Sequence, residues 1–138
     1  MYLTKLMDHY TKLTPYEEYI QPLAVLRYSN KIGSRGLFAT VGYEKNDIIE
    51  IAPAIIQELK WNKGNVSDYT FGYKDKEVMI GLGYSALYNH SDKNNAYWET
   101  LDNNKIKIVA NKKILAGEEI FINYGPNYFK NRGYISKV

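Results

Sequence analysis

Two stretches of the chain hold the residues best suited to chemistry. Tyr84-Ser85-Ala86-Leu87-Tyr88-Asn89-His90-Ser91 is a small, mostly apolar run that ends in polar side chains. Such a run is buried, so Asn89, His90 and Ser91 need hydrogen-bond partners inside the protein or on a ligand. Farther along, Glu118-Glu119-Ile120-Phe121-Ile122-Asn123-Tyr124-Gly125 reads as a strand that delivers Tyr124 to its end. A third stretch, Gly33-Ser34-Arg35-Gly36-Leu37-Phe38-Ala39, joins two strand-like runs. It reads either as a hairpin turn that needs glycine or as a place where a ligand lies against backbone at Gly36, which has no Cβ. Each stretch also has a purely structural reading: a satisfied buried turn, a packed strand-end tyrosine, a tight turn.

Other chemistries are poorly supplied. The chain has no cysteine and two histidines, His9 and His90. Disulfides, thiol nucleophiles and Cys-ligated zinc are therefore excluded, and no metal site is expected. Glu17-Glu18 and Glu118-Glu119 are adjacent pairs whose members point to opposite faces on a strand, so they do not form an acid/base pair. Asp92-Lys93-Asn94 lacks the spacing of a calcium loop. The net charge of +3 is mild and only Arg27, Arg35 and Arg132 are arginines, so no direct nucleic-acid contact is expected. The fourteen tyrosines suit half-buried strands and pockets with polar tips.

The elements that would position these residues are short. Thr14-Pro15-Tyr16-Glu17 reads as the start of a short N-terminal helix, stopped by Pro22, within an arm at 1–22. From Leu23 onward the pattern is mainly β, as one domain over 23–138. Strand-like runs are Leu23–Tyr28, Leu37–Thr40, Ile48–Ala52, Ala54–Glu58, Tyr69–Tyr73, Glu77–Ile80, Tyr97–Leu101, Lys105–Ala110 and Ile120–Tyr124. Residues 60–67 read as a loop, and Asp102-Asn103-Asn104 as the clearest hairpin turn. No run approaches the ~20 apolar residues of a membrane span, nor is there a signal-peptide core. The expectation is a soluble, intracellular protein without a membrane contact.

Asn89-His90-Ser91 followed by Gly117-Glu118-Glu119-Ile120 and Tyr124-Gly125, with Gly36-Leu37-Phe38-Ala39 upstream, resembles the signature of SET-domain protein lysine methyltransferases. The likeness spans about residues 23–132 and extends to short stand-alone members from large DNA viruses and bacteria. It departs from the family at Ser34, where a glycine is usual, and at Asn94, where a proline is usual. The resemblance implies several small sheets with a C-terminal pseudoknot, S-adenosylmethionine as cofactor, and a lysine-containing protein or peptide as partner, histones included. It implies cofactor contacts at Arg35, Gly36, Asn89, His90, Tyr124 and Phe129, catalysis by Tyr124 and Tyr69, and a lysine channel of Tyr69, Tyr88, Ile122 and Tyr128. Self-association is a further expectation, as is a nuclear or host-nuclear location if histone is the substrate. A non-catalytic SET-like peptide-binding module and a β-barrel that stacks nucleic-acid bases on tyrosines are the rival readings.

Overall fold

The computed structural model describes residues 18–133. Its largest sheet is built on the longest strand, β3 (Ile48–Glu58), whose β-branched residues suit a pleated, buried surface. The first half of β3 pairs antiparallel with β8 (Lys105–Ala110), and the second half pairs with β5 (Glu77–Gly81). Pro53 lies where one partner hands over to the other. Lacking an N–H it could not serve the middle of a ladder, but at this junction its carbonyl still accepts from Leu82 N. The sequence pattern divides this segment at Pro53; the change of partner keeps it continuous.

β4 (Thr70–Gly72) flanks β5, and β7 (Ala96–Leu101) flanks β8, which completes the order β4-β5-β3-β8-β7. A separate hairpin joins β1 (Ala24–Ser29) to β2 (Ser34–Ala39). The Gly33-to-Gly36 stretch is thus mostly strand: only Gly33 is left-handed, at φ 79°, and Ser34 already pairs with Ser29. The third sheet is the smallest. β6 (Asn89–His90) runs parallel to β9 (Phe121–Ile122), two residues each. It brings the end of the apolar segment against the strand that leads to Tyr124.

A core of Leu37, Ile49, Met79, Tyr88, Ile106, Ile108, Ile114, Ile120 and Ile122 lies between these sheets. Residues 60–67 are partly organised, with short 3-10 turns at Leu59–Trp61 and Gly64–Tyr69. A terminal helix that strand patterning does not reveal, α1 (Pro126–Arg132), begins with proline in its first turn and ends at Gly133 in the left-handed region. The start of the expected N-terminal helix, at Thr14, falls outside the described residues. Within the part described, Ile20 is extended and bridges Ile51.

The β7–β8 hairpin depends on Asn103 and Asn104, whose φ values are 67° and 58°. Asparagine tolerates this region, whereas a β-branched side chain costs about 1–2 kcal/mol there. Asn104→Val is therefore expected to lower the denaturation midpoint, while Asn104→Gly leaves it nearly unchanged. Chemical denaturation of both variants checks the turn.

Candidate active site

His90 of β6 and Tyr88, the residue just before that strand, converge on Tyr124. Its backbone N–H donates to Nδ1 of His90 at 2.9 Å, and its hydroxyl donates to the carbonyl of Tyr88 at 2.6 Å. The first bond fixes the histidine tautomer. Nδ1 must be the acceptor, so Nε2 carries the hydrogen and donates to Asp92 at 2.7 Å. His90 is buried and serves as a clamp on the backbone. The second bond uses the only hydrogen of the Tyr124 hydroxyl, leaving its lone pairs to face other groups. Burial, with Tyr128 close by, pushes the Tyr124 pKa far up, so this hydroxyl stays neutral.

A cavity of about 200 Å³ opens beside this hydroxyl. Tyr69, Tyr88, Ile122, Tyr124 and Tyr128 all line it, together with Arg35 and Asn89. The tyrosines come from different elements. Tyr69 ends the second 3-10 turn, and Tyr128 lies on α1 with its ring edge-on to Tyr124 at 4.6 Å between centroids. Arg132 ties these elements together. Its guanidinium meets Asp68 at 2.6 Å, donates to the Ser67 carbonyl at 2.7 Å, and lies 4.0 Å from the Tyr128 ring centroid. Tyr88 enters differently from the others. It is almost fully buried and its hydroxyl donates to Glu50 at 2.8 Å, so that hydroxyl is already committed.

Asn89 is held from the opposite side. Its amide nitrogen donates to the Arg35 carbonyl at 2.7 Å and to Glu119 at 2.9 Å. Both of its hydrogens are used, so Oδ1 is the atom it can offer a ligand. Glu119 also accepts from the hydroxyl of Ser29. This pairing gives Gly36 its reason. A Cβ at Gly36 would overlap the Glu119 carboxylate and come within 3.0 Å of the Asn89 amide nitrogen. The room made by the missing side chain is taken by Glu119, and Gly36 and His90 are not among the residues lining the cavity. Phe129 also lies outside that lining; its ring packs edge-on to His90 at 4.6 Å and stacks on Tyr124 at 6.1 Å.

The sequence pattern does not mark Glu50, Glu119, Asn95, Trp98 and Arg132 as site residues. The Asn95 side chain donates to the Glu119 carbonyl and accepts from Phe121 N, acting as an extra peptide group beside β9. Trp98 lines the cavity and donates to the Asn123 carbonyl. Glu119 carried a signal, being half of an acidic pair in a strand whose two faces differ. Glu50 carried one too, as a lone acid in the run Ile48-Ile49-Glu50-Ile51-Ala52. Among the described residues no group of three or more His, Asp or Glu side chains is placed to hold a metal ion.

The profile of the SET domain matches residues 34–125. A histone-lysine N-methyltransferase of Schizosaccharomyces pombe, specific for H3 lysine-37, is 29% identical over 99 residues, 67% of each chain. A Plasmodium falciparum protein described as a candidate histone methyltransferase superposes with a TM-score of 0.66 at 35% identity, over 77% of this chain and 96% of that one. A humanized mutant of the Chaetomium thermophilum Polycomb Repressive Complex 2 gives a TM-score of 0.66 at 23% identity. There the match covers 80% of this chain and 16% of the other, and the likeness is one of fold.

The buried carboxylate behind Tyr88 makes stability depend on pH. Burial raises the Glu50 pKa from 4.5 to about 7, against the lowering effect of its bonds to Tyr88 and the Tyr84 amide. Between these values the folded chain keeps a proton that the unfolded chain has released. The contribution is greatest below 4.5, falls as pH rises, and levels above 7, a span of at most about 3 kcal/mol. Glu50→Gln is expected to remove this part of the pH dependence. Urea denaturation of wild type and variant from pH 4.5 to 8 measures the difference.

Proposed function

The chain belongs to the SET-domain family, and on that premise we propose that it is an S-adenosylmethionine-dependent protein-lysine N-methyltransferase acting on histone. The observation that carries the proposal is the cavity in which Tyr69, Ile122, Tyr124 and Tyr128 meet Asn89 and Arg35. Similarity to the Schizosaccharomyces pombe histone-lysine N-methyltransferase and to the Plasmodium falciparum candidate histone methyltransferase supports the substrate class.

The donor set fits the cofactor. Asn89 has Oδ1 left to accept from an ammonium, as on the methionine end, and the Arg35 backbone lies against Asn89. Phe129 offers an aromatic face near His90 for a purine. In this reading Arg35, Gly36, Asn89, His90, Tyr124 and Phe129 hold the cofactor, with Gly36 acting through the Glu119–Asn89 pair that it admits. When bound, the cofactor supplies a methyl group on a positively charged sulfur.

The chain's own residues must then hold an amine in line and make it neutral. Free lysine has a pKa of about 10.4, and aromatic walls that exclude water disfavour its charged form. Tyr69 and Tyr128 supply such walls, and their ring faces also accommodate the methylated, cationic product. Tyr124 cannot be the base, because burial keeps its hydroxyl protonated. Its hydrogen is held by the Tyr88 carbonyl, so the oxygen is free to accept from the amine and orient its lone pair. Proton release is left to solvent, before the amine is enclosed. Alignment of this kind is worth several kcal/mol, within the ~7–11 available from orientation.

Tyr124→Phe is expected to reduce kcat at least tenfold on a histone substrate while cofactor affinity changes little. Asn89→Ala is expected to weaken cofactor affinity instead. Isothermal titration with S-adenosylmethionine and a radiolabelled transfer assay separate the two. Cofactor binding without transfer to histone or to any lysate protein would favour the non-catalytic peptide-binding module.

Ile122 bears on the number of methyl groups. It is buried, lines the cavity, and has no hydroxyl with which to hold the amine in one orientation. The wild type is expected to place more than one methyl on a lysine, and Ile122→Tyr to shift the product toward monomethyl-lysine. Mass spectrometry decides it: monomethyl-lysine alone from the wild type after long incubation would assign the limit to Tyr69 and Tyr128.

A further inference from the structure

Glu50 is a carboxylate in the interior, 2% exposed, on the strand that anchors the largest sheet. It does not line the cavity beside Tyr124. Both of its oxygens are occupied by one short segment of the chain. Oε1 accepts from the hydroxyl of Tyr88 at 2.8 Å and Oε2 from the backbone N–H of Tyr84 at 3.0 Å. The turn before that segment is shaped to admit it. Gly83 has φ 61°, and a Cβ there would approach Oε2 to 2.9 Å. The two ends of the 84–88 segment therefore hang on a single side chain from a different sheet.

The consequence runs through Tyr88. Its side chain is fixed by Glu50, and its carbonyl receives the Tyr124 hydroxyl at 2.6 Å. A buried carboxylate is a costly way to fill space, and an apolar side chain would fill it at less cost. What the carboxylate supplies is two acceptors at a fixed spacing. The titratable side chains that bear on it are Tyr88 and Tyr43, and burial raises the pKa of both.

Resting on the reading of Tyr124 as the residue at the transfer step, we propose that Glu50 is a positioning residue. It sets the Tyr88 carbonyl so that the Tyr124 hydroxyl is held in one orientation, with its lone pairs toward the cavity. It touches neither substrate nor cofactor. Its loss therefore acts on the orientation of Tyr124 and not on the binding of either ligand.

The test uses the full chain labelled with carbon-13 at tyrosine Cζ, the Tyr124 resonance being assigned from Tyr124→Phe. In Glu50→Ala this resonance is expected to move toward the position of a solvated tyrosine and to broaden. In Glu50→Gln, which keeps the size and one acceptor, kcat on a histone substrate should fall about tenfold, with KM and cofactor Kd within twofold. A folded Glu50→Ala whose Tyr124 resonance is unmoved would overturn the proposal. If that variant does not fold, Glu50→Gln decides: unchanged kcat, or a loss confined to KM, overturns it as well. A wild type that transfers no methyl group to any lysine would sink the functional reading, while the resonance would still report whether Glu50 orients Tyr124.

Discussion

Everything in the site depends on a parallel pairing only two residues long. β6 and β9 lie far apart in the chain, and such a short ladder cannot hold itself together in water. Polar side chains extend it. Asn95 bonds the Glu119 carbonyl and the Phe121 N–H, one on each side of Ile120, as a peptide group would, and His90 accepts from Tyr124 N, while the backbone adds Ser91 N donating to the Ile122 carbonyl. These bonds lie in or beside a hydrophobic core, where leaving a partner unmade costs about 1–3 kcal/mol each. The ladder is therefore specified by side chains as much as by backbone.

The same logic explains the two buried acids. Glu119 and Glu50 are each enclosed, and each accepts two hydrogen bonds, from Ser29 and Asn89 in one case and from Tyr88 and Tyr84 in the other. Glu50 ties the five-stranded sheet to Tyr84 and Tyr88, and Glu119 ties the β1–β2 hairpin to Asn89. The glycines beside them, Gly36 and Gly83, are needed because the carboxylates come so close to the backbone. Glycine here makes room for the protein's own carboxylates. The result is a cavity whose key hydroxyl is held neutral and oriented by uncharged groups.

The order of strands was largely legible, because alternating β-branched and aromatic runs separated by Asn, Asp and Gly report pleat and turn directly. The Tyr97–Leu101 and Lys105–Ala110 hairpin is nearly as read, differing by one residue at Ala96. Ile120–Tyr124 reads as a full strand, yet only Phe121–Ile122 pairs with β6: Ile120 N donates instead to the Leu37 carbonyl, and Tyr124 N to the His90 side chain. α1 escaped notice because its seven residues are too few for a helical period, although Pro126 and Gly133 bracket it as a helix's ends should be.

What the sequence by itself determined is the identity of the chemical groups: tyrosines, an Asn-His pair, a strand-end hydroxyl and no thiol. It also determined the short strands that carry them, since period and turn residues are local properties. Only the tertiary structure decided which hydrogen of which group is already used. The commitments of Tyr88 to Glu50, Asn89 to Glu119 and Tyr124 to the Tyr88 carbonyl span separations of 38, 30 and 36 residues. A hydrogen bond between such distant positions leaves no periodic trace in the chain. It exists because the sheets are stacked in one way, and the function of each polar group is what remains after those bonds are made.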